Sequence, residues 1–124
     1  MSIKLLKISV FYLLIGVLMG MFMSISKDFT IVSVHVHTLL LGFTVLGFVG
    51  ILYHIFPDLE QNIMAKIHFW LHNIGLPIMI IFLIPVSYKQ FQYEPGIAIG
   101  SIAVAIGIIL FVINVFKNLK SSGK

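Results

Sequence analysis

Apolar positions in this chain neither alternate nor recur on one face; they run on for about twenty residues and stop at short polar breaks. Four uncharged runs result, over residues 8–26, 29–57, 67–88 and 95–116. A membrane-crossing helix needs about 20 apolar residues, within a range of roughly 17 to 25, so each run is long enough for one. The pattern predicts an all-α membrane protein of four transmembrane helices, over about 8–26, 30–56, 67–87 and 95–116, forming one domain across 1–124. The breaks are short, so neighbouring helices should run antiparallel in an up-and-down bundle.

Composition supports that choice of solvent. Hydrophobic residues make up 60% and charged residues 10% of the chain, with a mean hydropathy of +1.12. Those values belong to a chain solvated by lipid rather than by water. There is no cysteine, which excludes disulfides, thiolate metal sites, iron–sulfur clusters and thioether-linked heme. The net charge of +4 rests on lysines near the ends of the runs, a distribution suited to an anionic membrane surface and not to nucleic acid. Lys4, Lys7, Lys66, Lys117, Lys120 and Lys124 fall on one side of the bundle and Lys27 and Lys89 on the other. The lysine-rich side should face the cytoplasm, placing both termini there, in the plasma membrane of a prokaryote.

Lys4 and Lys7 ahead of an apolar run share the outline of a signal peptide, with Ser24 and Ser26 small enough for cleavage. The run exceeds the usual apolar core of about 7 to 15 residues, so an uncleaved first span is expected. Internal repeats and linkers are not evident. Gly42, Gly47 and Gly50 in the second run, and Gly96, Gly100 and Gly107 in the fourth, permit close helix contact. Trp70, Tyr53, Tyr88 and Tyr93 lie near run boundaries, as interfacial anchors do. Asp58 and Glu60, in the break between the second and third runs, are expected to be solvated.

The histidines carry the chemistry. Ionisable side chains inside a span are costly and point to function. His35 and His37 stand two apart near the start of the second run, His54 near its end, and His68 and His72 in the third run. At about 100° per residue, two positions apart differ by roughly 200° around a helix, so His35 and His37 serve two sites on opposite faces. Neutral imidazole ligates heme iron, copper or zinc. With no thiolate available, heme held by axial histidine is the most economical cofactor for an apolar slot between helices. Two further groupings are candidates. His68 and His72 share one helix face, and with His54 they offer three imidazoles for zinc or copper, or else an interfacial hydrogen-bonded cluster. Met19, Met21 and Met23, at the depth of His35 and His37, offer a thioether ligand, with apolar packing as the competing use. From His37 to His54 is about 25 Å along a helix, so these groups do not form one mononuclear site within a chain.

The segment HVH followed by LGFTVLGFVGILYHIFP, then AKIHFWLHNIGLP after a short loop, resembles the tenth and eleventh helices of the catalytic subunit of heme-copper oxidases and the related nitric oxide reductases. The resemblance covers residues 34–77, about a third of the chain, and includes Tyr53, His54, Phe56 and Pro57 at one helix end and Lys66, His68 and Phe69 at the start of the next. It implies that His35 ligates a high-spin heme of an oxygen- or nitric-oxide-reducing centre and His37 a low-spin heme b. Positions matching His54 and His68 are not redox ligands in that family, and His72 departs from its pattern. The second ligand of the low-spin heme, the three copper-binding histidines and eight helices have no counterpart, so one copy cannot be an oxidase.

That family arranges twelve helices as three four-helix arcs, which implies a homotrimer of this chain, with a homodimer as the alternative. The expected function is that of a b-type cytochrome in electron transfer or diatomic gas chemistry, with quinol or other respiratory subunits as partners. A cofactor-free scaffold for a respiratory membrane complex is the competing expectation. Cysteines placed at Lys27 and Lys89 should react with an impermeant reagent in intact cells while one at Ser122 stays protected; labelling at Ser122 would reverse the orientation.

Overall fold

The computed structural model describes residues 1–120, so Ser122 and Lys124 lie outside it. It contains four long helices: α1 Ser2–Ser26, α2 Val32–Ile55, α3 Ile63–Ser87 and α4 Glu94–Asn118. All four are long and apolar enough to cross a membrane. Short 3-10 turns, Pro57–Glu60 and Phe91–Tyr93, lead into α3 and α4.

Helices α1, α3 and α4 start earlier than their uncharged runs do, whereas α2 starts at Val32, three residues into its run. Helix α1 runs straight through Lys4 and Lys7, whose side chains are exposed. Their long aliphatic stems let the ammonium groups reach the polar boundary without ending the helix. Helix α3 begins at Ile63 because Asn62 caps it, its side-chain oxygen accepting from the Ala65 amide at 3.2 Å. Helix α2 departs from regular winding: α-helical stretches Val32–His37 and Leu46–Ile55 flank a π-wound stretch, Thr38–Val45. Wider winding puts the carbonyls there out of step with the usual amide four residues on.

Small residues set the packing. Along α1 and α2, Leu5 and Leu6 face Gly50, Tyr12 faces Gly42, and Leu39 faces Gly16. Numbers rise on one helix as they fall on the other, so the two are antiparallel. The same holds for α3 and α4, where His68 meets Gly107, Gly75 meets Gly100, and Phe82 meets Gly96. These two tight pairs join through α2 and α3. One buried cluster, Leu5, Leu46, Val49, Tyr53, Leu59 and Ala65, fills the lysine-rich half, and a second, Leu76, Met79 and Val104, lies between α3 and α4.

Polar groups close the lysine-rich end. The Ser2 amide donates to the Glu60 carboxylate at 3.0 Å, and the terminal ammonium of Met1 stands 3.7 Å from it. Glu60 is therefore not simply solvated, as its place in a polar break suggests; it pins the start of α1 to the α2–α3 connection. Beneath it, the buried Asn114 amide donates to the Leu59 carbonyl at 2.8 Å, while Asn62 and Asn118 each donate to Asn114 Oδ1 at 2.8 Å. At the other end, the Thr30 hydroxyl and amide both donate to Asp28, holding its carboxyl below the ordinary carboxylate range.

A Cβ placed on Gly100 would lie 2.5 Å from the Met79 amide nitrogen and 2.6 Å from the Gly75 carbonyl oxygen. Backbone cannot step aside as a side chain can. Gly100→Ala should therefore cost about 1–3 kcal/mol in reversible detergent unfolding. Ala105→Leu, on the exposed face of the same helix, should leave the midpoint unchanged.

Candidate functional site

Five histidines adopt three different arrangements. His35 and His37 occupy the first turns of α2, only three and five residues past its start. The two rings diverge, as their spacing requires. His35 turns into the α1–α2 seam, where its Nδ1 lies 2.8 Å from the Gly16 carbonyl oxygen. Gly20 makes the room: a Cβ there would approach the ring to 3.0 Å. His37 instead folds back along its own helix, Nδ1 lying 2.7 Å from the Ser33 carbonyl oxygen and 3.4 Å from the Ser33 hydroxyl.

These contacts fix the tautomers. A carbonyl oxygen only accepts, so in each ring Nδ1 carries the proton and donates it. The Nε2 lone pairs of His35 and His37 are then left without a partner among the described residues. A histidine that anchors Nδ1–H on a carbonyl while presenting a bare Nε2 is arranged as metal-ligating histidines are, with tautomer and ring direction set by the second nitrogen's bond. His37 stays partly exposed on the side of α2 away from the α1 seam, whereas the ring of His35 sits against Gly20 of α1.

His68 and His72 are the reverse case. Both are buried, one turn apart on α3, with His68 Nε2 3.1 Å from His72 Nδ1. His72 Nε2 lies 3.0 Å from the carbonyl oxygen of Leu41, in the π-wound stretch of α2. The carbonyl again decides the tautomer. His72 donates from Nε2, so with both rings neutral its Nδ1 accepts from His68 Nε2–H. The pair forms a one-way hydrogen-bonded chain ending on backbone, a lock between the α1–α2 and α3–α4 pairs. The Phe111 ring lies tilted by 40° beside His68, with ring centroids 5.5 Å apart.

His54 does not join this pair. It is exposed, and the buried residue at that turn is its neighbour Tyr53. Among the described residues, no three His, Cys, Asp or Glu side chains gather as a metal-binding group. The three methionines of α1 are dispersed as well: Met23 is buried, Met19 half-buried and Met21 exposed.

The lock's acceptor, Leu41, carries no signal in its side chain, and the asparagine cluster around Asn114 was legible only as an amide inside an apolar run. The Tyr53 hydroxyl is buried beside Asn114 and has no hydrogen-bond partner among the described residues.

The chain matches no protein-family model, no curated protein and no solved structure. Its residues therefore speak through their geometry.

His72→Phe would leave both the Leu41 carbonyl and the His68 ring without their partner. The expected loss is about 1–2 kcal/mol of stability, the upper range for interhelical hydrogen bonds in membranes. His54→Ala should unfold at the wild-type midpoint in the same detergent titration.

Proposed function

We propose that this chain is an integral membrane heme-binding protein, a b-type cytochrome whose iron is ligated by Nε2 of His37. One observation carries the reading: Nδ1 of His37 is spent on the Ser33 carbonyl at 2.7 Å, which leaves Nε2 as a bare, partly exposed donor inside an apolar span. The donor set fits the group. Neutral imidazole is a heme ligand, and the apolar helix faces around it suit the porphyrin's hydrophobic body. The His-x-His pair and its neighbours, similar to the tenth and eleventh helices of heme-copper oxidases, point to the same cofactor. His35 presents an equivalent donor toward α1 and is the second ligand position.

When bound, heme would supply one-electron transfer or binding of a diatomic gas. The chain's own residues do the positioning. Ser33 and Gly16 orient the two imidazoles, and the His72–Leu41 hydrogen bond holds α2 against α3 so that His37 keeps its place. A low-spin heme would take a second imidazole besides His37, and a further copy of the chain would supply it. A threefold ring is the arrangement the oxidase resemblance favours; a twofold dimer is the simpler way to set two His37 rings across one heme. In the plasma membrane, with the lysine-rich end cytoplasmic, His35 and His37 lie toward the outer surface.

Purified after expression with ample heme, the protein should show sharp α and β bands on reduction. His37→Ala should abolish the low-spin signal, while His54→Ala and His68→Ala keep it. Native mass spectrometry of the heme-loaded protein should find an oligomer. A heme-free wild-type protein, or an unchanged His37→Ala spectrum, would remove the assignment and leave the scaffold reading.

A further inference from the structure

A groove of about 600 Å³ opens between α1 and α3, with Thr38 of α2 at its floor. Thr38 brings no free donor to it, because its hydroxyl already donates to the Val34 carbonyl at 2.7 Å. The walls are apolar save at Lys7 and Tyr12 on α1 and Asn73 on α3, and each of these does bring one. No carboxylate among the described residues pairs with the Lys7 ammonium; Glu60, at the same end of the bundle, is engaged by the Ser2 amide and the terminal ammonium of Met1. The Tyr12 hydroxyl has no hydrogen-bond partner among the described residues. Asn73 donates one amide hydrogen to the Phe69 carbonyl at 2.8 Å, and the second hydrogen of that amide has no described acceptor.

These three donors are graded in depth. Helices α1 and α3 start at the same end, as the Ser2–Glu60 contact shows. Lys7 lies five residues past Ser2, on a stem that carries its ammonium out to the polar boundary. Tyr12 lies ten residues past Ser2 and Asn73 ten past Ile63, so the two are level, about 7.5 Å further in along the helix axis than Lys7. Beyond them the walls, among them Ile15, Pro77 and Ile81, are wholly apolar.

Lipid tails are as apolar as leucine side chains, so such walls accept any acyl chain without preference. Preference comes from the polar groups. A phospholipid offers, from the surface inward, a phosphate, then ester carbonyls that accept and cannot donate, then acyl chains. The groove presents a cation, two uncharged donors and an apolar channel in the same order. Lys4, exposed and three residues ahead of Lys7 on α1, adds a second ammonium at the headgroup level. Two cations favour a net-anionic headgroup over a zwitterionic one, whose own ammonium already offsets its phosphate.

We infer that this groove is a specific site for one anionic phospholipid, of the phosphatidylglycerol type, from the leaflet at the lysine-rich end. Its phosphate meets Lys7 and Lys4, its ester carbonyls accept from the Tyr12 hydroxyl and the Asn73 amide, and an acyl chain runs inward between Ile15 and Ile81. The ring of Tyr12 is held for this by Gly42, where any side chain would collide with it. A general attraction of end lysines to an anionic surface fixes neither position nor headgroup; this site fixes both, and it stands independently of the heme reading.

Phosphatidylcholine nanodiscs carrying a trace of phosphatidylglycerol with a diazirine in its acyl chain test it. Label should fall within residues 11–15 and 77–81 and be displaced by unlabelled phosphatidylglycerol, while the same diazirine on phosphatidylcholine labels there several-fold less. Lys7→Gln should cut displaceable labelling about fivefold, the scale of one lysine's attraction to anionic lipid, at unchanged helicity and elution volume. Lys27→Gln, at the opposite end, should leave it intact. The double variant Tyr12→Phe, Asn73→Leu should lower it about tenfold, the scale of one to two lost hydrogen bonds. Should that variant misfold, Ile80→Trp, which fills the groove with apolar volume, must abolish the label. Equal labelling by both headgroups, labelling that Lys7→Gln leaves unchanged, or an equal loss in Lys27→Gln would show lipid held only as solvent or by diffuse charge, and would overturn the proposal.

Discussion

Every N–H that a side chain carries into hydrocarbon does best with an acceptor inside the protein, and for three of the five histidines that acceptor is a backbone carbonyl. Gly16, Ser33 and Leu41 each take one imidazole proton, from His35, His37 and His72. The remaining nitrogen of each ring then has its character decided. For His72 it is an acceptor already used by His68, which makes the pair structural. For His35 and His37 it is an unused lone pair. The same chemical residue is thus a clamp in α3 and an available ligand in α2, and the difference lies in which ring nitrogen meets the carbonyl.

The carbonyl of Leu41 is reachable because α2 is π-wound from Thr38 to Val45. That stretch also places Gly42 against Tyr12, so one irregularity serves two ends: it gives the α3 histidines an anchor and sets the phenol at the edge of the α1–α3 groove. The groove itself follows from the pairing of helices. Glycines draw α1 onto α2 and α3 onto α4, and with both close contacts spent in that way, α1 and α3 are left apart.

Much of this was legible in the sequence, for reasons that can be named. Four spans follow from hydrocarbon thickness, and the divergence of His35 and His37 follows from helical angle. Helix starts were less legible, because Lys4 and Lys7 mark the edge of the apolar layer and not the end of the helix. His68 and His72 read correctly as neighbours one turn apart, but grouping His54 with them overlooked that the buried residue at that turn is Tyr53, about 100° around the helix. Glu60 looked like a solvated loop acid because its partners, the Ser2 amide and the chain's own amino group, are distant in sequence. The π-wound stretch had no marker in TLLLGFTV, so the acceptor of His72 could not be anticipated.

The central claim is the division of tautomers, and nitrogen-15 NMR of histidine-labelled, heme-free protein in bilayers reads it directly. Free neutral histidine in water favours the proton on Nε2. His35 and His37 should instead show a protonated Nδ1 and an unprotonated Nε2, while His72 shows a protonated Nε2. Protonated Nε2 on His37 would mean that its lone pair is not available to a metal, and would contradict the account.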